Sequence, residues 1–195
     1  MSISATLVQQ LRQQTGVGLM AAKRALEATD GDMAKAIEQL RASGLKVAAQ
    51  KSGRTVKDGV VGTYLHANGK VGAMVALACE TDFVARTDDF KDLAHDLALH
   101  VAASNPRYLQ PSDIPTEILE VEKDVYRAQL KTEGKPEKMW DKIIEGKLEK
   151  FYSDTCLLNQ PFVKDDQLTI NGVIQAAITR VGENIQIVSF SRQSV

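Results

Sequence analysis

The sequence has little sulfur, few aromatic rings and no long apolar run, and each shortage excludes something. Two cysteines, Cys79 and Cys156, lie far apart and match neither zinc nor redox spacing, which points to a reducing, cytoplasmic setting. No apolar run reaches the ~18 residues that a membrane span needs, so no membrane association is expected. The opening stretch MSISATLVQQLRQQTG has neither a signal-peptide core nor the Arg/Ser bias of a transit peptide. Catalytic signatures are missing too: no G-x-x-x-x-G-K-[ST], no G-x-G-x-x-G after a strand, no G-x-S-x-G and no H-E-x-x-H. His95 and His100 share a predicted helix at i, i+5, which does not turn both rings onto one metal. Asp88, Asp89 and Asp92 gather near a helix start, where carboxylates complement the helix dipole without any ion. Neither an enzyme nor a bound cofactor is expected.

What is present is an ordinary globular composition, 44% hydrophobic and 25% charged over 195 residues, enough for one or two domains. The net charge of -1 hides an asymmetry. Residues 1–57 carry nine Lys/Arg against four Asp/Glu, and the remainder carries fifteen against twenty-one. A basic head could meet nucleic acid or an acidic protein surface. It holds no aromatic residue to stack on a base, so direct nucleic-acid binding is not expected.

Residues 1–45 read as a head of three short helices. Leu7, Val8 and Leu11 stripe the first, which Thr15-Gly-Val-Gly18 ends; Leu19 to Thr29 forms the second. Asp32 is placed to cap a third helix with Met33, Ile37 and Leu40 on its apolar face, and Ser43-Gly44 is expected to terminate it. Residues 46–57 read as a basic linker, and residues 58–195 as a core domain. In that core, Asp58 to Ala67 and Lys70 to Cys79 read as a hairpin around Asn68-Gly69. Phe90, Leu93, Ala94, Leu97 and Val101 share one helical face, and Asn105-Pro106 ends that helix. Glu117 to Lys150 reads as a charged helical hairpin, Thr169 to Val181 as a helix and Ile185 to Phe190 as a last strand. The predicted fold is α+β: the helical head, then a three-strand antiparallel sheet with helices on one side.

One stretch, Cys79-Glu-Thr-Asp-Phe-Val-Ala-Arg86, sits where an apolar strand meets a helix. Phe83 there is either tucked into the core or presented to another molecule. Strand-to-helix turns are places where rigid scaffolds hold functional side chains. An Asp beside a Phe makes a wedge that is both charged and bulky.

Two segments carry a resemblance to a known family. Leu11-Arg-Gln-Gln-Thr-Gly-Val-Gly-Leu-Met-Ala-Ala-Lys-Arg-Ala-Leu26 and Glu80-Thr-Asp-Phe-Val-Ala-Arg86 resemble the two signatures of the bacterial elongation factor Ts family, in the right order. The likeness continues through Tyr64-Leu-His66, Gly69-Lys-Val-Gly72, Gln160-Pro-Phe-Val163 and Val181-Gly-Glu-Asn-Ile185. The resemblance implies guanine-nucleotide exchange on elongation factor Tu, with no chemistry of its own. It implies that Thr81, Asp82, Phe83 and Val84 enter the GTPase near its magnesium. It implies a head similar to ubiquitin-associated domains, touching the GTPase domain through Met20 and Lys23. Short members are similar in forming homodimers, with His66 reaching elongation factor Tu from the second subunit, and this chain resembles them in carrying one half of the core. The chain departs from the usual pattern at Ala21, Ala76 and Ala78, where an acidic residue, a Glu and an Asn are common. The competing reading is an adaptor whose head binds a ubiquitin-like or ribosomal partner.

Overall fold

The structure is a computed structural model that describes residues 3–195. Its chain falls into two compact units, each made of several segments. The first takes in the chain as far as Val60, with Leu77–Lys91 and Gly172–Val188. The second takes in Val61–Ala76, Asp92–Asn171 and Ser189–Val195.

The first unit opens with three helices. Helix α1 (Ala5–Thr15) starts at Ser4, whose hydroxyl accepts the Leu7 N–H, and stops at Gly16 in the left-handed region. Helix α2 (Leu19–Ala28) follows, and α3 (Met33–Lys51) is capped by Asp32, whose carboxylate accepts the Lys35 N–H at 3.1 Å. That bond, and the ammonium of Lys35, hold the Asp32 carboxyl below the usual range. Val8, Leu11, Ala22, Ala25, Leu26 and Ala36 form the buried centre of the three helices, with Leu7, Met33, Ile37 and Leu40 packed around it. Much of this core is alanine, so the apolar area that stabilises it is small.

The third helix corrects the sequence-based expectation. It does not end at Ser43-Gly44 but runs to Lys51, so the first half of the basic segment 46–57 is helical. The glycine serves a close approach instead: a Cβ on Gly44 would stand 3.0 Å from the Thr179 hydroxyl oxygen on α8 (Ile170–Val181). A missing side chain here admits a neighbouring helix, and that packing overrides the local stop signal.

Strands β1 (Asp58–Leu65), β2 (Val71–Cys79) and β5 (Gln186–Ser194) form a sheet with β2 in the middle. The turn at Asn68-Gly69 joins β1 to β2 as expected, closed by the His66 N–H on the Val71 carbonyl. The Val195 N–H donates to the Lys70 carbonyl, which brings the end of β5 beside the start of β2 and makes that pair antiparallel. Along β2 the alternation is clean: Ala73, Val75, Leu77 and Cys79 are buried and Met74 is exposed.

Helix α5 (Asp88–Ser104) lies in the second unit from Asp92 onward, with Ala94, Leu97, Ala98 and Val101 buried. It crosses β1 very closely at Gly62 and receives the Arg192 guanidinium on the Ala102 carbonyl at 2.9 Å. The expected charged hairpin is α6 (Thr116–Thr132) and α7 (Trp140–Thr155). Pattern reading missed a short antiparallel pair, β3 (Pro161–Phe162) and β4 (Asp165–Thr169). The α+β class stands.

Candidate functional site

The turn that follows β2 is built from both ends. Strand β2 finishes on the fully buried Cys79, whose thiol donates to the Thr81 carbonyl at 3.2 Å. Burial, then the nearby Glu183 carboxylate, push the Cys79 thiol up, so it stays protonated and acts as a donor rather than a nucleophile. Thr81 is extended and caps the single turn α4 (Asp82–Ala85), which the Arg86 N–H closes on the Asp82 carbonyl at 3.1 Å. Ala85 is buried and Val84 half-buried, so the turn is anchored on one side. The Phe83 ring points the other way and is 80% exposed. The ring is therefore not tucked into the core.

Asp82 is not a free charge. Its carboxylate pairs with the Arg86 guanidinium at 2.9 Å, one helical turn on. Both groups are well exposed, and such a pair contributes about 0–1 kcal/mol, so it opens readily.

The support beneath this turn comes from a residue to which the sequence reading assigned no role. The Glu183 carboxylate takes three hydrogen bonds: from the Glu80 N–H at 3.1 Å, the Thr81 N–H at 3.0 Å and the Thr81 hydroxyl at 2.6 Å. Asn184 returns the grip, its N–H donating to the Glu80 carboxylate at 2.7 Å. The Asn184 side-chain amide donates to the carbonyls of Ser52 and Arg54 at 3.3 and 2.8 Å. The Arg54 guanidinium approaches the Glu80 carboxylate at 3.5 Å, and Lys51 donates to the Gly182 carbonyl. Asn184 is buried, and this whole knot lies within the first compact unit. Ala76 and Ala78 carry no polar side-chain atom and take no part in it. The only sequence signal was that Glu183 and Asn184 fall in the segment 181–185 included in the resemblance.

The remaining expected residues are placed as follows. Met20 and Lys23 lie on α2 in the same unit, Met20 exposed and Lys23 paired with Glu27 at 3.8 Å. Leu19, next to Met20, is equally exposed and was not singled out. His66 belongs to the second unit, at the end of β1, where its Nδ1 meets the Tyr64 hydroxyl at 3.1 Å. Tyr64 also stands edge-on to His95, ring centres 5.9 Å apart. Among the described residues no group of three or more His, Cys, Asp or Glu is placed to hold a metal ion. No described helix is long and apolar enough to cross a membrane.

A model of the family described as Elongation factor TS matches residues 6–195. The elongation factor Ts of Fervidobacterium nodosum is 51% identical over 195 residues, covering 100% of this chain and 99% of that protein. The elongation factor Ts of Syntrophus aciditrophicus is 50% identical over 98% of this chain and 96% of its own. That of Pseudothermotoga lettingae is 48% identical over 100% and 98%.

Proposed function

The chain belongs to the elongation factor Ts family, and on that premise we propose how its parts act. It is a nucleotide-exchange factor for elongation factor Tu, promoting GDP release during translation elongation. It makes and breaks no covalent bond and works in the cytoplasm without contacting nucleic acid.

The observation that carries the mechanism is the exposed Phe83 on an anchored turn. A GTPase holds its nucleotide through magnesium and through backbone N–H groups of the phosphate loop. Pressing a rigid apolar ring among those elements displaces them and weakens the hold on GDP. By thermodynamic reciprocity GDP then weakens the grip of the exchange factor to the same degree, so each expels the other. Asp82, once released from Arg86, brings a carboxylate into the surroundings of the magnesium, and Thr81 and Val84 fix the turn around it.

Residues 1–45 serve as a docking head of the ubiquitin-associated type, with Met20 and Lys23 on the GTPase domain; the exposed start of α2 supports this. Residues 46–57 join the head to the core domain 58–195, the first part of the joint being the end of α3. The chain acts as a homodimer, in which His66 of one copy reaches the elongation factor Tu engaged by the other. Support for a second copy comes from Val61, Leu65 and Met74, large apolar side chains left exposed on β1 and β2.

The test follows release of fluorescent GDP from elongation factor Tu on adding the chain at stoichiometric amounts. Faster release is expected. No acceleration would overturn the exchange mechanism and leave the adaptor reading.

A further inference from the structure

Beyond the residues of the wedge, we propose that Glu183 is a positioning residue: its carboxylate clamps the Glu80–Thr81 backbone and thereby holds Phe83 in its presented orientation. This rests on the exchange reading above for its consequence, though not for its geometry.

Three features carry it. First, both oxygens of Glu183 are engaged, Oε2 by two successive N–H groups and Oε1 by the Thr81 hydroxyl. Two consecutive N–H groups aimed at one carboxylate oxygen fix the peptide plane between them, and charge-assisted bonds of this kind are stronger than neutral ones. Second, that peptide immediately precedes α4, whose first turn contains Phe83. With only four residues, α4 cannot hold its own direction, because so short a helix lies below the length at which helices persist alone. Third, Glu183 is itself fixed by its neighbours: Gly182 receives Lys51, and Asn184 bonds the Ser52 and Arg54 carbonyls and the Glu80 carboxylate. The clamp therefore ties the presenting turn to the end of α3, within one compact unit.

The test uses the full chain, Glu183→Ala, Glu183→Gln, Phe83→Ala and the double variant Glu183→Ala/Phe83→Ala. Two readouts are taken: backbone amide hydrogen exchange at Glu80 and Thr81, and the maximal rate of GDP release at saturating exchange factor. Glu183→Ala should lose amide protection at both positions and release GDP about tenfold more slowly at saturation, since small misplacements of a positioned group carry large rate costs. Its half-saturating concentration should move less than about threefold, because the docking surface of α2 is untouched. Glu183→Gln keeps an acceptor oxygen for both N–H groups and should recover most of the protection and rate. The double variant should be no slower than Phe83→Ala alone, because Glu183 acts through Phe83. Amides at Glu80 and Thr81 that exchange alike in wild type and Glu183→Ala overturn the clamp. So does a double variant in which the two losses multiply, since that marks a merely structural role. If Glu183→Ala fails to fold, Thr81→Val, which removes the hydroxyl bond to Glu183, takes its place: its residue-81 amide should be less protected than in wild type and Glu183→Gln, and equal protection in all three overturns the clamp. A wild-type chain that does not accelerate release, while Glu183→Ala still loses protection, overturns the exchange reading and keeps the clamp.

Discussion

Replacing Phe83 by alanine removes a ring that is 80% exposed, so the fold loses almost no packing. The expected result is a folding stability within about 0.5 kcal/mol of wild type, as for surface substitutions generally, together with loss of most GDP-release acceleration. Thermal melting and release kinetics on the same sample check it. A large drop in melting temperature would mark the ring as part of the core. The sequence alone could raise this alternative but not decide it, because burial at a strand end depends on which way the chain turns afterwards. Glu183 was harder still to see. Its partners Glu80 and Thr81 lie about a hundred residues away, and no local periodicity records such a pairing.

His100 gives a second prediction at this scale. It is fully buried on α5, its Nδ1 facing the Val163 N–H at 3.3 Å and its Nε2 facing the Gln160 side-chain oxygen at 3.0 Å. A backbone donor at Nδ1 and an acceptor at Nε2 fix the neutral tautomer with its proton on Nε2. Gln160 is anchored in turn by donating to the Asp154 carbonyl at 3.0 Å. Burial lowers the His100 pKa from the ordinary 6.5, against a smaller opposing effect of the Gln160 bond. With the folded pKa below the unfolded one, the unfolded chain binds more protons between them. The contribution is therefore fully present above pH ~6.5 and is lost as pH falls toward the folded pKa. Urea midpoints should drop between pH 7.5 and 5.5 in wild type and drop less in His100→Gln. Equal slopes in the two proteins would refute this.

Among the elements, those with a long periodic face were legible and those that depend on a distant neighbour were not. Helices α5, α6, α7 and α8 and the β1–β2 hairpin follow from apolar spacing and the Asn68-Gly69 turn. The pair β3–β4 did not, since β3 has two residues and β4, Asp-Asp-Gln-Leu-Thr, is poor in strand formers. Helix α3 overran its expected stop because Gly44 is occupied with admitting Thr179. A similar economy operates between β1 and α5, where it is testable. A Cβ on Gly62 would stand 2.1 Å from the Ala94 carbonyl oxygen, a clash of backbone against side chain that no rotamer change relieves. Gly62→Ala should destabilise the chain by about 2–3 kcal/mol or more, in the range of core overpacking. Denaturant unfolding measures it, and a variant as stable as wild type would mean that α5 sits farther from β1.

For the whole molecule, the open question is what covers the outer side of the sheet. In the second unit Val61, Leu65 and Met74 are 63%, 70% and 53% exposed, while α5 packs on the opposite face of β1 at Gly62. An antiparallel sheet usually turns polar residues to water on its free face, and these three do not fit that pattern. A second copy would satisfy them: in a two-fold contact the same patch meets itself, so all three side chains would be covered in both copies. Met74 lies on the central strand, away from either sheet edge, so its substitution leaves edge pairing intact and tests face packing. Met74→Asp would bring a carboxylate, and its symmetry mate, into a dry contact where neither finds a counter-ion, a strongly unfavourable arrangement. Light scattering should then give a particle of 21.3 kDa, the mass of one chain, for the variant and twice that for wild type. Because His66 would serve the neighbouring copy, the monomeric variant should also release GDP more slowly at equal chain concentration, although its own Phe83 turn is unchanged. A wild-type particle of one chain mass would remove the dimer, and His66 with it, while leaving the Phe83 wedge and its clamp as the working parts.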